Sequence, residues 1–157
     1  MIGKIVRLAA LLLTTVLSAN CSGLTTLTPA LLDEAQSKWE STRPQSYRLV
    51  IEMKGDRVEK EQFEVIVQSG RLARLRRNGQ EIKPGPEQDY SMDGLFRMLH
   101  QEMALAEKPA LLGAPEGYSA YEMVRFDDRT GQLIEYRRTV GGVSNTIDIR
   151  ILKFEPA

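Results

Sequence analysis

The chain has 157 residues, 42% of them hydrophobic and 27% charged, with 21 Lys+Arg against 21 Asp+Glu, one His and one Cys. This length supplies about one domain, with a core that needs no covalent staple. The balanced charge leaves no basic footprint for nucleic acid, and one Cys with one His permits no internal disulfide and excludes a zinc site drawn from those ligands.

The elements begin with an export signal. Lys4 and Arg7 precede the apolar run Leu8–Leu17, followed by Ser18, Ala19, Asn20 and the single cysteine, Cys21. A membrane-crossing helix needs about twenty apolar residues, so residues 1–20 read as a secretory signal peptide instead. Leu17-Ser18-Ala19-Asn20-Cys21 resembles the bacterial lipobox, although Asn20 replaces the usual small residue and Leu17 stands one place early. The resemblance implies acylation (palmitate) at Cys21, and acyl chains hold a protein on a membrane through about 0.8 kcal/mol per buried CH₂. By the same resemblance, Ser22 implies the outer membrane, facing the periplasm. Cleavage near Ala19, giving a soluble periplasmic or secreted domain, is the alternative. Residues 21–28 then read as lipid-anchor cysteine and short tether, reaching at most about 20 Å, and residues 29–157 as a single α+β domain.

Thr28-Pro29 is a helix start, with a capping hydroxyl and Pro in the first turn. Leu32, Ala35, Trp39 and Thr42 recur at helical spacing, and Pro44 stops the helix. Tyr47, Leu49, Ile51 and Met53 alternate as a strand, Gly55-Asp56-Arg57 turns, and Phe63, Val65 and Val67 alternate again. A three-residue loop, Gln68-Ser69-Gly70, is expected to set Val65 opposite Ala73, Phe63 opposite Leu75 and Glu64 opposite Arg74. Asn78-Gly79 turns, and Lys83-Pro84-Gly85-Pro86 breaks the chain.

Ser91 caps a second helix with the apolar stripe Met92, Leu95, Phe96, Leu99, Met103 and Ala106. Three strands follow: 121–126, 133–140 and 143–154. A two-residue loop at Gly141-Gly142 is expected to pair Tyr136 with Ile147 and Ile134 with Ile149. The expected fold is therefore α+β, an antiparallel sheet of five to six strands with two helices packed on one face. A cystatin-like helix on a curved sheet is the alternative. The helix-then-strands order recurs once and suggests an internal repeat.

Trp39 with Ser46-Tyr47-Arg48, then Val65-Ile66-Val67-Gln68-Ser69-Gly70, Asp93-Gly94-Leu95-Phe96, and Phe126-Asp127-Asp128 with Gly131 occur in this order. Together they resemble a group of bacterial secreted and lipoprotein domains of unknown function. The resemblance spans 35–154 and implies a small α+β envelope domain. It implies no catalytic residue, and Gln132 stands where that group often has Pro.

No catalytic residue, cofactor or metal ligand is expected. His100 lies off the apolar stripe and reads as a solvated histidine. Glu135 opposite Asp148 would suit a cation, but Arg137 and Arg150 on the diagonals answer the same charge. Asp127-Asp128 with Gly131 reads as turn chemistry. Two interaction candidates remain. The arginines Arg71, Arg74, Arg76 and Arg77, with Lys83, form a basic ribbon suited to anionic groups, or else a solvated edge that blocks aggregation. The loop Pro109–Pro115 carries Leu111 and Leu112, either as a contact surface or as a lid over the end of the sheet. The expected function is a membrane-anchored, non-catalytic cell-envelope lipoprotein that binds a protein or envelope component. One alternative is a periplasmic carrier of a small apolar ligand, lined by Tyr47, Met92, Met98 and Met103. A carboxylate-dependent hydrolase comes third.

Overall fold

Each helix starts where its cap predicts. In the computed structural model, which describes residues 23–57, 59–85 and 88–157, the Thr28 side chain accepts the Leu31 N–H at 3.2 Å and Pro29 opens helix α1 (Pro29–Thr42). Loss of such a cap costs about 1 kcal/mol. Ser91 does the same for Gly94 at 3.1 Å and opens α2 (Met92–Ala106). The buried stripes are Leu32, Ala35 and Trp39 on α1, and Met92, Leu95, Phe96 and Leu99 on α2. Thr42, expected on the apolar face, is exposed; its hydroxyl bonds the Lys38 and Thr130 carbonyls. The signal, Cys21 and Ser22 lie outside the described residues.

Eight strands are found among the described residues: β1 (Thr25–Thr26), β2 (Tyr47–Gly55), β3 (Glu61–Gln68), β4 (Arg71–Arg77), β5 (Gln80–Ile82), β6 (Ala120–Phe126), β7 (Leu133–Val140) and β8 (Thr146–Pro156). They form one sheet in the order β1-β6-β7-β8-β2-β3-β4-β5, antiparallel at every described pairing. The two strands beyond the expected six are β1 and β5. At two and three residues, neither is long enough to show an alternation. Thr25 and Thr26, expected in the tether, thus belong to the sheet, and Leu27 is buried in the core. α1 is followed by the four-strand meander β2–β5, and α2 by the three-strand meander β6–β8. The two meanders abut where β2 pairs β8, from Tyr47 opposite Pro156 to Gly55 opposite Ile147.

One core cluster joins both helices to the same sheet face, through Leu49, Ile51, Phe63, Val65, Val67, Leu75, Val124, Tyr136 and Ile149. Fully burying an aliphatic side chain of this kind contributes about 1.5–3 kcal/mol. At its centre Trp39 meets Tyr47 and Phe154 edge-on, at 5.7 and 5.8 Å between ring centroids. The opposite face is a lattice of ion pairs, including Arg48 with Glu64 and Glu155, Lys60 with Glu52, and Arg125 and Arg150 with Glu135. An antiparallel sheet tolerates one such watered face.

Two hairpin registers differ from expectation. The β3–β4 turn is the two-residue Ser69-Gly70, with φ of 50° and 73°, so Val67 faces Leu72. A bulge at Ala73 then sets Ile66 opposite Arg74, Val65 opposite Leu75 and Glu64 opposite Arg76. Positive φ at both turn residues matches the twist of the strands, and the bulge restores the facing that the short turn would have lost. In the β7–β8 hairpin, Thr139 pairs Thr146 and Tyr136 pairs Ile149, because the connection runs beyond Gly141-Gly142 to Asn145. Arg137 therefore faces Asp148, and Glu135 faces Arg150.

The sheet has two distinct ends. Thr25 lies opposite Val124 and Thr26 opposite Met123, so the chain enters beside Phe126, next to the β6–β7 turn. This is the entry end. The other, the loop end, gathers 107–119 and the β7–β8 connection.

Candidate functional site

At the loop end the inward positions of the sheet turn polar. β6 and β7 pair there with Glu122 opposite Arg138, on the face that carries Val124 and Tyr136 into the core. Glu122, Arg138 and Asn145 are 8%, 4% and 9% exposed, so each needs a partner inside the fold. Tyr136 Oη donates to Glu122 Oε1 at 2.7 Å. Arg138 Nη1 pairs with Glu102 of α2. Arg138 Nη2 donates to Asn145 Oδ1 at 3.0 Å, and Asn145 Nδ2 donates to the Leu112 carbonyl at 2.8 Å. The Arg138 Nε is buried with no hydrogen-bond partner among the described residues.

This node is electrostatically tense. Burial, then the nearby Glu102 carboxylate, push the Glu122 carboxyl above its usual range, against the hydrogen bond from Tyr136 and the attraction of Arg138. Burial also pushes the Tyr136 hydroxyl far up, with the charges of Glu102 and Glu122 adding to it. Tyr136 is therefore a fixed donor, and burial works against the charge on Glu122.

The node pins a turn. Pro109–Leu112 forms a 3-10 turn closed by Gly113 in left-handed backbone, with φ of 87°. Leu111 N–H bonds the Lys108 carbonyl at 2.9 Å, and Gly113 N–H bonds that of Ala110 at 3.0 Å. The two leucines part company here. Leu112 is buried, whereas Leu111 is 69% exposed. Tyr118, packed against Gly141 and Gly142, is 53% exposed, and Tyr121, on the ion-paired face of β6, is 62% exposed.

The arginines of β4 are not brought into one patch. The bulge and the pleat place Arg74 and Arg76 on the ion-paired face, with Glu64 and Glu81 beside them at 3.6 and 3.5 Å respectively from Arg76 and Arg74. Arg77 lies on the other face, beside Phe63 in register, and pairs with Glu61. Arg71 is exposed, with no carboxylate partner among the described residues. A shallow groove of about 320 Å³ separates Leu72–Leu75 from Glu81–Pro84, where β5 leaves the sheet and Lys83 lies on its rim.

His100 is exposed, with Nε2 at 2.8 Å from Gln36 Oε1. The facing of Glu135 and Asp148 does not occur, since each lies opposite an arginine. Asp127 works as a turn residue, with Oδ1 accepting Arg129 N–H, Thr130 N–H and Thr130 Oγ1. Tyr47 and Met92 are fully packed and spent on each other, the Tyr47 hydroxyl accepting Met92 N–H at 3.0 Å. Met98 instead borders a cleft of about 160 Å³ with Tyr90 and Arg97, and Met103 is half-buried against the core. No group of three or more His, Cys, Asp or Glu among the described residues is placed to hold a metal ion.

Sequence reasoning passed over Glu102, Glu122, Arg138 and Asn145 as a set. One signal was present: Tyr136-Arg137-Arg138-Thr139-Val140 alternates, which puts Arg138 on the core face between two apolar residues. No protein-family model, curated protein or solved structure matches the chain.

Proposed function

We propose that the protein is a membrane-anchored, non-catalytic cell-envelope lipoprotein, held by an acylated Cys21 at the outer membrane and facing the periplasm, that binds a protein or envelope component through Leu111. The observation that carries this reading is the contrast within the 3-10 turn. Leu112 is locked inward by Asn145 and Arg138, while Leu111 stands 69% exposed on the same rigid turn. A large apolar side chain held out by a pre-ordered backbone loses little entropy on binding, the property expected of a contact residue. The signal and the lipobox-like Cys21 supply the address. The carrier alternative asks for space among Tyr47, Met92, Met98 and Met103, and the first two are closed against each other.

Two measurements test the reading. The intact mass of the detergent-extracted protein is expected to correspond to Cys21 onward plus acyl chains; a bare polypeptide refutes the anchor. Leu111→Ser is expected to leave the melting temperature within a degree or two, since exposed substitutions change stability by about 0.5 kcal/mol or less. The same change is expected to abolish a photocrosslink formed from position 118 in intact cells. An unchanged crosslink refutes the contact.

A further inference from the structure

The same site has a direction, and the direction selects its partner. Four large apolar side chains stand exposed among the described residues: Leu111, Tyr118, Tyr121 and Leu152. Three of them fall within 111–121 and ring the loop end. Leu111 lies on the helix side, Tyr118 at the Gly141-Gly142 tip, and Tyr121 on the ion-paired face. Exposed tyrosines with an aliphatic anchor are the composition of protein-binding surfaces, where each ring offers area and a hydroxyl at little entropic cost.

The chain enters at the opposite end. β1 is antiparallel to β6, with Thr25 beside Val124, so Gly23 and Leu24 lie toward Phe126 while Leu111–Tyr118 precede Ala120. β6 has 7 residues, and at about 3.3 Å per residue it separates the two ends by roughly 20 Å. Because Thr25–Leu27 are built into the sheet and the core, three residues, 22–24, separate Cys21 from the sheet, a span of at most about 10 Å. A leash of that length holds the entry end close to the anchored surface, and the loop end stands one β6 length further along the sheet. Leu27 fixes the exit further: its side chain is in the core, and its N–H bonds the Glu122 carbonyl at 2.9 Å.

We infer that the loop end points away from the anchoring membrane and that Leu111, Tyr118 and Tyr121 dock a folded protein on the far side, not the bilayer. This rests on the anchored reading above. The partner must present an apolar recess for Leu111 and acceptors for the tyrosine hydroxyls. The Asn145–Leu112 and Arg138–Glu102 bonds are positioning contacts for that surface, because they set the turn without touching what it binds.

The experiment uses the full acylated chain in phosphatidylethanolamine–phosphatidylglycerol vesicles carrying a headgroup-linked quencher. Acylation occupies Cys21, so Leu111→Cys and Asp128→Cys each give one labelling site, at the loop end and the entry end. Strong quenching of a fluorophore at 128, with none at 111, is the expected result. Quenching at 111 equal to or greater than at 128 overturns the orientation and makes the bilayer the occupant. In parallel, a photocrosslinker at Tyr118 in cells is expected to give a discrete protein adduct that Leu111→Ser removes. Adducts to lipid alone overturn the partner class. The two levels separate cleanly: an intact mass without acyl chains sinks the anchor and this orientation together, whereas an acylated mass with quenching at 111 sinks the orientation alone.

Discussion

The two ends of the sheet handle carboxylates in opposite ways. At the entry end, Asp93 accepts Trp39 Nε1 at 2.7 Å and Arg43 Nη1 at 2.8 Å. Asp89 is partly buried, which pushes its carboxyl up, yet the hydrogen bonds from Ser91 and Arg97 outweigh this and hold it below its usual range. Asp127 is held low by the hydroxyl and N–H of Thr130. At the loop end, Glu122 has one hydroxyl donor and a second carboxylate nearby, and burial wins. The difference is the supply of N–H groups. Turns and helix starts present free backbone donors to a carboxylate; the middle of a ladder has none left to give. The surroundings of Asp89 and Asp127 thus favour the charged carboxylate, and those of Glu122 work against it.

The sharpest way to break this contrast is at Arg138. Arg138→Met leaves the largely buried Glu102 carboxylate without its cation, and about 3 kcal/mol of stability is expected to vanish in urea unfolding. Adding Glu102→Met should restore most of that loss, because an apolar pair replaces the ion pair without a stranded charge. A double variant no better than the single would show that the two ends do not differ in this respect. At the entry end the vulnerable point is steric. Gly131 has φ of 72°, and a Cβ there would stand 2.0 Å from the Ala35 carbonyl oxygen. Gly131→Ala is expected to cost about 2 kcal/mol, from the left-handed backbone and from the forced retreat of α1, and a thermal melt will read it. The smallest effect carries the sign. A carboxyl raised in the folded state gives stability that is full below its ordinary value of 4.5 and is lost as pH rises through the folded value. Glu122→Gln keeps the acceptor for Tyr136, so it should flatten that decline and be the more stable form at neutral pH. Asp89 runs the other way: its contribution is present above its ordinary value of 3.8 and is lost as pH falls through the folded value. Urea titrations of Glu122→Gln that fall as steeply as wild type above pH 4.5 would remove Glu122 from the comparison.

Much of the fold was legible because it is repetitive. Thr28-Pro29, Ser91 and the stripes through Trp39 and Phe96 are local signals, and each stands where the spacing puts it. The hairpin registers were not, since a turn's length is visible in sequence and a compensating bulge is not. Ala73 is a small residue in an arginine-rich strand, with nothing to mark it as extra. The site was half legible. Leu111 and Leu112 both stand out in the sequence, but only the fold tells them apart, through a carbonyl that Asn145 reaches from 33 residues away. Glu122 and Arg138 carry no such local mark, because Glu and Arg side chains mostly stand in solvent and these two are buried only through partners distant in sequence.

The bulge at Ala73 also bears on how the hairpin tolerates a change of length. Without Ala73, Arg71, Leu72, Arg74 and Leu75 would run in strict alternation against Gln68, Val67, Ile66 and Val65, which are the partners they already have. A one-residue deletion inside a strand ordinarily inverts everything beyond it. At this position every pairing would keep its partner and its facing, so the β3–β4 hairpin can lose one residue without inverting the side chains beyond it.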